Sequence, residues 1–319
     1  MKKLAVLTSG GDAPGMNACL RAVVRYGEVK GYQVIGVMGG YQGLIDGDFK
    51  KLSLEDVEGI VAQSGTVIKT SRCPAFMTPD GFDRAVKNAR NQNFDAVVVL
   101  GGDGSLNGAL KLSKEGINVI GVPCTIDNDM GYTDFTIGFD TAINTVTSLL
   151  GNIRDTVSSH DRACVVEVMG RHSGEIALNA GIASGAELVI VPEVKLPDEE
   201  ICKKIKTSVE SGEKCILVVV AEGAATADAV AKMIKEKLNL DVKSVVFGYI
   251  QRGGSPSAND RILATRMGAY AVELATQKKF GVAVSSLQNK MVAVPLVKAI
   301  IPKSKFDKNL YFINNDLSI

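Results

Sequence analysis

Val97-Val-Val-Leu-Gly-Gly-Asp-Gly-Ser105 begins as a β-branched apolar run and passes without a break into a glycine turn. The run predicts a strand over Val97 to Leu100, and the apolar residues beyond the turn predict a helix from about Leu106 to Leu112. Strand, glycine turn, helix is the unit from which α/β folds are built, and their ligands collect at such turns. Two glycines on either side of Asp103 let a polyphosphate approach the backbone while the acid holds magnesium. A βα turn with an incidental acid has the same pattern.

The next strand, Ile117 to Val122, leads into Gly121-Val-Pro-Cys-Thr-Ile-Asp-Asn-Asp129. Pro123 has no N–H for a ladder and is expected to stop the strand. If the loop beyond is extended, Asp127 and Asp129 can serve a substrate hydroxyl and a metal, with the Thr125 hydroxyl on the same face. An Asx-rich turn that bonds its own backbone is the other reading of Asp-Asn-Asp.

Upstream, Leu4 to Thr8 reads as a buried strand, and Ser9-Gly-Gly-Asp-Ala-Pro-Gly15 opens a helix that carries Arg21 and Arg25 on one face. Those arginines are either solvated or share an anion. A second strand, Val34 to Met38, is followed by a glycine-rich turn and a helix expected around Leu54 to Ala62. Arg72 then closes a loop before Pro74, as surface punctuation or as a phosphate ligand.

Downstream, a helix is expected from Asp140 to Val157, with His160, Asp161 and Arg162 in the turn beyond it. Strand Cys164 to Val168 ends in Met169-Gly-Arg-His-Ser-Gly174, so a glycine turn again presents a cation, Arg171. His172 has no evident partner and reads as structural. Alternation continues through strands Leu188 to Val191, Ile216 to Ala221 and Val242 to Ile250, with helices Asp198 to Ser211, Thr226 to Leu238 and Ala258 to Thr276. Val282 to Val284 and Met291 to Val294 read as closing strands. The Lys/Asn-rich tail from Lys303 is expected to cross back over another domain.

The 319 residues suit two domains, and a composition 46% hydrophobic and 22% charged is that of a globular protein. A net charge of +1 gives no broad field for nucleic acid or a membrane. Neither the Walker pattern nor the dinucleotide fingerprint with its ribose-binding acid is present. Six cysteines without C-x-x-C spacing, and only two histidines, argue against a zinc site and for reduced thiols. With neither a signal segment nor a membrane span in the sequence, a cytoplasmic protein is expected. Acids, cations and glycines recur at strand C-termini, which suits phosphoryl transfer.

The motifs TSGGDAPGMN (Thr8 to Asn17), GGDGS (Gly101 to Ser105), TIDND (Thr125 to Asp129), TIGFDTA (Thr136 to Ala142), MGR (Met169 to Arg171) and QRGGSP (Gln251 to Pro256) resemble the bacterial ATP-dependent 6-phosphofructokinases nearly end to end. The resemblance implies two doubly wound, Rossmann-like α/β lobes: residues 1–138 with 251–301 for ATP, and 139–250 with 302–319 for fructose 6-phosphate. It also implies a homotetramer. By that likeness Asp127 is the base for the sugar 1-hydroxyl, and Asp103, helped by Asp129, holds Mg2+. Arg72, Arg171 and the Gly11 turn stabilise the moving phosphoryl group. Gly11, Tyr41, Arg72, Cys73, Gly102, Asp103, Gly104, Ser105 and Gly108 match the nucleotide site. Thr125, Asp127, Met169, Gly170, Arg171, Glu222, Tyr249 and Arg252 match the sugar-phosphate site, with Arg162 and Lys243 reaching in from a neighbouring subunit.

Departures from the family pattern carry expectations of their own. Cys124 stands for the usual glycine, where it is expected to crowd the nucleotide or to confer sensitivity to thiol reagents. Gly104, together with the lack of lysine at 124, favours ATP over pyrophosphate. Lys243 replaces arginine, keeping charge but losing the bidentate fork, and Tyr249 replaces histidine, so sugar-phosphate affinity is expected to be altered. Arg21, Arg25, Arg154, Gly185 and Glu187 match the effector pocket for ADP or phosphoenolpyruvate, but Leu54, Ser211 and Glu213 replace three further cations. At about 1.5 to 3 kcal/mol per charge-assisted hydrogen bond, weak or absent effector response is expected. Alternatives are a pyrophosphate-dependent enzyme, a non-catalytic nucleotide-binding regulator, and a dinucleotide-dependent oxidoreductase.

Overall fold

The computed structural model describes residues 2–160, 162–301 and 306–317. Asp161 and the start of the tail at Lys303 lie outside them. Among the described residues there are eleven strands and eleven α-helices, which alternate as far as β10. The strands are β1 (Lys2–Ser9), β2 (Tyr32–Val37), β3 (Phe49–Lys51), β4 (Ala96–Gly101), β5 (Val119–Pro123), β6 (Ala163–Val168), β7 (Leu188–Ile190), β8 (Ile216–Ala221), β9 (Val242–Val246), β10 (Val282–Leu287) and β11 (Lys290–Pro295). The helices are α1 (Met16–Val29), α2 (Tyr41–Asp46), α3 (Pro79–Asn91), α4 (Asp103–Lys114), α5 (Phe139–Ser158), α6 (Glu175–Ala183), α7 (Asp198–Glu210), α8 (Ala227–Leu238), α9 (Ala258–Thr276), α10 (Leu296–Ala299) and α11 (Lys308–Leu317).

The chain forms two compact units. One comprises Met1–Ile126, Met130–Asp140 and Arg252–Lys303; the other comprises Asp127–Asp129, Thr141–Gln251 and Ser304–Ile319. The first holds a seven-stranded sheet of order β11-β10-β5-β4-β1-β2-β3. Its central strands are parallel, and the outermost pairs, β2 with β3 and β10 with β11, are antiparallel. Leu4–Leu7 and Val97–Leu100 have no exposed surface, which is why these strands read as unbroken apolar runs. From β1 the chain goes to β2 on one side and later to β4 on the other, so strand order reverses between β1 and β4. Ligands bind outside the carboxyl ends of strands at such a reversal, and the glycine turns after β1 and β4 lie there. On one face of the sheet α1 packs along α9, where a Cβ on Gly268 would stand 2.7 Å from the Cys19 carbonyl oxygen.

The second unit holds an all-parallel sheet, β7-β8-β6-β9. Its core joins Val165, Leu188, Val218 and Val220 to Ile201 and Ile205 of α7 and Ile234 of α8.

Four sequence expectations are corrected. Helix α4 begins at Asp103, not near Leu106, which puts the acid in the first turn of the helix. Pro123 is the last residue of β5, paired with Gly101, instead of following the strand. Strand β10 reaches only Ile120 and Gly121, so at Pro123 no neighbour requires an N–H on that side. The stretch expected to be a helix around Leu54 to Ala62 is two 3₁₀ turns, Glu55–Val57 and Ile60–Ala62, broken where Glu58 is extended and Gly59 left-handed. The strand expected to run to Ile250 stops at Val246, and Gly248–Arg252 forms a 3₁₀ turn after a left-handed Gly248.

Candidate functional site

In the first unit the ends of β1 and β4 are sewn together. The Ser105 hydroxyl, in the first turn of α4, donates to the Ser9 carbonyl at 2.9 Å. Gly101 is required by this crossing, because a Cβ there would lie 2.6 Å from the Ser9 oxygen. Asp103 is exposed beside the stitch, with one carboxylate oxygen accepting from the Asn107 amide at 2.9 Å. Partial burial lifts its carboxyl above the ordinary value, and the Asn107 bond opposes the shift. Gly104 is exposed and a Cβ on it would meet nothing within 4 Å, so open space lies over the start of the helix.

Arg72 is presented by a loop fastened to the end of β1. The Thr8 hydroxyl donates to the Lys69 carbonyl at 2.8 Å, Thr70 donates to Gly10 at 2.9 Å and Ser71 to Gly39 at 2.9 Å. The Arg72 guanidinium is exposed at the end of this anchored segment. Arg252 donates to the Asp12 carbonyl at 2.9 Å and lies against Gly11, in the space a side chain there would need. Gly11 and Arg252, assigned by resemblance to different ligands, are thus brought together.

Besides Ser105, two residues matched to the nucleotide site, Tyr41 and Gly108, are packed into the framework. Tyr41 is buried, stacked on Phe76 with ring centroids 4.1 Å apart, and donates to the Ser105 carbonyl at 2.7 Å. Gly108 lies against that ring, leaving no room for a Cβ. Cys73 is half-buried and its thiol reaches the Gln42 side-chain oxygen at 3.2 Å.

The expectation that Cys124 is open to thiol reagents does not fit its placement. Its side chain is 1% exposed, inside the unit near Cys19 and Asp260, and burial pushes the thiol well above its ordinary pKa. A thiol there is an unreactive core group that faces away from solvent. Its N–H donates to Gly101 at 3.0 Å, while Thr125 is held from both sides by Ile137 at 3.1 Å and the Thr136 hydroxyl at 2.7 Å.

In the second unit, Asp127 and Asp129 flank Asn128, which is buried and left-handed with φ 46°. The loop is therefore not extended at its centre, so strand alternation does not set the directions of the two carboxylates. The Met169–Gly174 turn follows β6. Met169 N–H donates to the side-chain oxygen of fully buried Gln251 at 3.1 Å, and the Ser173 hydroxyl donates to the Asp127 carbonyl at 2.9 Å. At the far end Gly174 N–H donates to both Glu193 carboxylate oxygens, at 2.9 and 3.1 Å. Gly170 takes φ 135° and folds onto the Ser173 carbonyl. Arg171 and His172 are exposed at the tip, and Glu222 is exposed at the end of β8, its N–H donating to Val168 at 2.9 Å.

Arg162, just before β6, and Lys243, in the adjacent strand β9, share one partner: Asp241 pairs with Arg162 at 2.7 Å and with Lys243 at 3.4 Å. Tyr249 is 85% exposed on the turn after β9. Of the effector residues, Arg154, Gly185 and Glu187 are together: Arg154 pairs with Glu187 at 3.0 Å and also donates to the Gly185 carbonyl. Arg21 and Arg25 are on α1 of the other unit. Ser173, Gln251 and Glu193, which hold the Arg171 turn, were not singled out from the sequence. Gln251 lies inside the QRGGSP motif, and Ser173 and Glu193 carry no local signal.

Residues 3–275 match the family model described as phosphofructokinase. Curated relatives named ATP-dependent 6-phosphofructokinase match over all of this chain and all of their own length: 46% identical from Finegoldia magna, 49% from Thermotoga neapolitana and 47% from Bacillus subtilis. Among solved structures, the T-state phosphofructokinase of Pichia pastoris superposes with a TM-score of 0.90 at 39% identity, over 94% of this chain and 35% of that one. A pyrophosphate-dependent phosphofructokinase from Marinobacter aquaeolei, 23% identical with a TM-score of 0.87 over 97% of this chain and 86% of its own, shares the fold. A family model spanning most of the chain, relatives matched end to end and a common fold agree: the chain belongs to the phosphofructokinase family.

Proposed function

We propose that this chain is an ATP-dependent 6-phosphofructokinase, which transfers the γ-phosphoryl group of ATP to the 1-hydroxyl of fructose 6-phosphate. The observation that carries the reading is end-to-end likeness, at 46 to 49% identity, to relatives named for that activity. Gly104 supports the donor assignment, since it adds no carboxylate to the open space at the head of α4 and Cys124 adds no cation.

Asp127 accepts the hydroxyl proton as the bond to phosphorus forms. Arg72 and Arg171, both exposed on anchored turns, neutralise charge on the phosphoryl oxygens, and the Gly11 turn adds backbone N–H groups. Met169, Gly170 and Glu222 hold the sugar phosphate with Thr125 and Arg252, while Arg162 and Lys243 are supplied by a neighbouring subunit of a homotetramer. Among the described residues no cluster of three metal ligands occurs. That suits Mg2+, which keeps several waters and needs one or two carboxylates besides the phosphates. Asp103, whose second oxygen is not taken by Asn107, would hold it with help from Asp129. When bound, the ion screens the phosphate charge. The place of work is the cytoplasm, and no helix among the described residues is long and apolar enough to cross a membrane.

The test is a coupled assay of fructose 6-phosphate phosphorylation with Mg-ATP and Mg-pyrophosphate in parallel. Turnover with ATP alone is expected. Turnover with pyrophosphate alone would overturn the donor assignment, and none with either would favour a nucleotide-binding regulator.

A further inference from the structure

The turn that presents Arg171 and the loop that presents Asp127 are joined through the side chain of Ser173. Ser173 is 4% exposed; its hydroxyl donates to the Asp127 carbonyl at 2.9 Å and accepts from Glu175 N–H at 3.4 Å. The hydroxyl therefore links the start of α6 to the peptide that follows Asp127. That peptide leads into Asn128, left-handed at φ 46°, a conformation that asparagine adopts more readily than other non-glycine residues. Fixing the Asp127 carbonyl fixes the plane of this peptide and, with it, the direction from which the Asp127 side chain departs. The same residue sets the other loop, because Gly170, next to Arg171, packs on the Ser173 carbonyl too closely for any side chain to intervene. Gly174 N–H, bound by Glu193, closes the turn from the far side.

We propose that Ser173 is a positioning residue for phosphoryl transfer, a hydroxyl clamp that holds the Asp127 loop in register with the Arg171 turn. The inference rests on the reading of Asp127 as the base. Ser173 takes no proton from substrate and touches no reacting group; it acts through the geometry of the other two. Near-attack geometry is steep in distance, so a loosened base loop lowers turnover more than binding.

The test compares Ser173→Ala with wild type and with Asp127→Ser, measuring kcat and the KM for each substrate. Ser173→Ala is expected to lower kcat roughly tenfold or more, with both KM values within about twofold. Ser173→Thr and Ser173→Val share a shape and differ in the hydroxyl, so they keep the comparison open if the alanine variant folds poorly. Thr is expected to retain most of kcat and Val to behave as Ala. Wild-type kcat in Ser173→Ala, or equal loss in Thr and Val, overturns the clamp while leaving the base in place if Asp127→Ser is inactive. Wild-type turnover in Asp127→Ser instead removes the base reading on which the clamp depends.

Discussion

At the scale of single residues, burial decides more than identity. Cys124 stands where the family resemblance implies a glycine close to nucleotide, yet its side chain is directed into the core and burial raises its thiol pKa. Brief alkylation of the native protein followed by mass spectrometry is predicted to modify half-buried Cys73 before Cys124, with Cys124 labelled only after unfolding. Early labelling of Cys124 would contradict its placement. Asp103 shows the opposite balance, a carboxylate kept where water is partly excluded. Because folding raises its carboxyl above the unfolded value of about 3.9, the folded state binds more protons just above that pH. Stability from this group is therefore lost as pH rises through the folded value. Asp103→Asn is predicted to be inactive in the kinase assay but to unfold at or above the wild-type temperature at pH 7, the two proteins converging near pH 3.5. A lower midpoint at pH 7 would show that the carboxylate is not strained by its surroundings.

At the scale of elements, long apolar runs were easy to read and short polar ones were not. The buried strands β1, β4 and β8 announce themselves because both faces are covered and no alternation is needed. Helix α3 has no long apolar run to show it, although its start is marked: Thr78 caps it by accepting from Gly81 N–H at 3.2 Å, with Pro79 in the first turn. Helix α11 has a similar mark, Asp307 accepting from Leu310 N–H at 3.0 Å. The 54–62 segment misleads because its apolar spacing is helical while its bonding is local. Ser53 N–H donates to the Asp56 carboxylate at 2.8 Å, and Asp56 N–H donates back to the Ser53 hydroxyl at 3.3 Å. The Lys50 ammonium, and then Ser53, hold the Asp56 carboxyl down to about 2. Its contribution is present above the unfolded value and lost as pH falls through the folded one. Asp56→Asn is accordingly predicted to lower the thermal midpoint slightly at pH 6 and not at pH 2. An equal difference at both pH values would place the effect elsewhere.

At the scale of the whole molecule, both sheets have parallel central strands, and glycine turns carrying an acid or a cation follow β1, β4, β6 and β8. The turns and their chemistry are legible where glycines with an acid or a cation follow a long apolar run, as after β1, β4 and β6. Strand order is not legible, since β1 lies between β2 and β4 through pairings that close only after distant segments have folded. Nor are the tethers that hold the Met169–Gly174 turn, because Gln251, Ser173 and Glu193 reach partners 82, 46 and 19 residues away. The central claim is that the Asp127 carboxylate, set beside a left-handed Asn128, removes the proton from the attacking hydroxyl. The most direct measurement is steady-state kcat with saturating Mg-ATP and fructose 6-phosphate for wild type and Asp127→Ser, with circular dichroism to confirm that both are folded. A fall of roughly 10² to 10⁴, the usual contribution of a general base, is predicted. A folded Asp127→Ser protein turning over at the wild-type rate would contradict it.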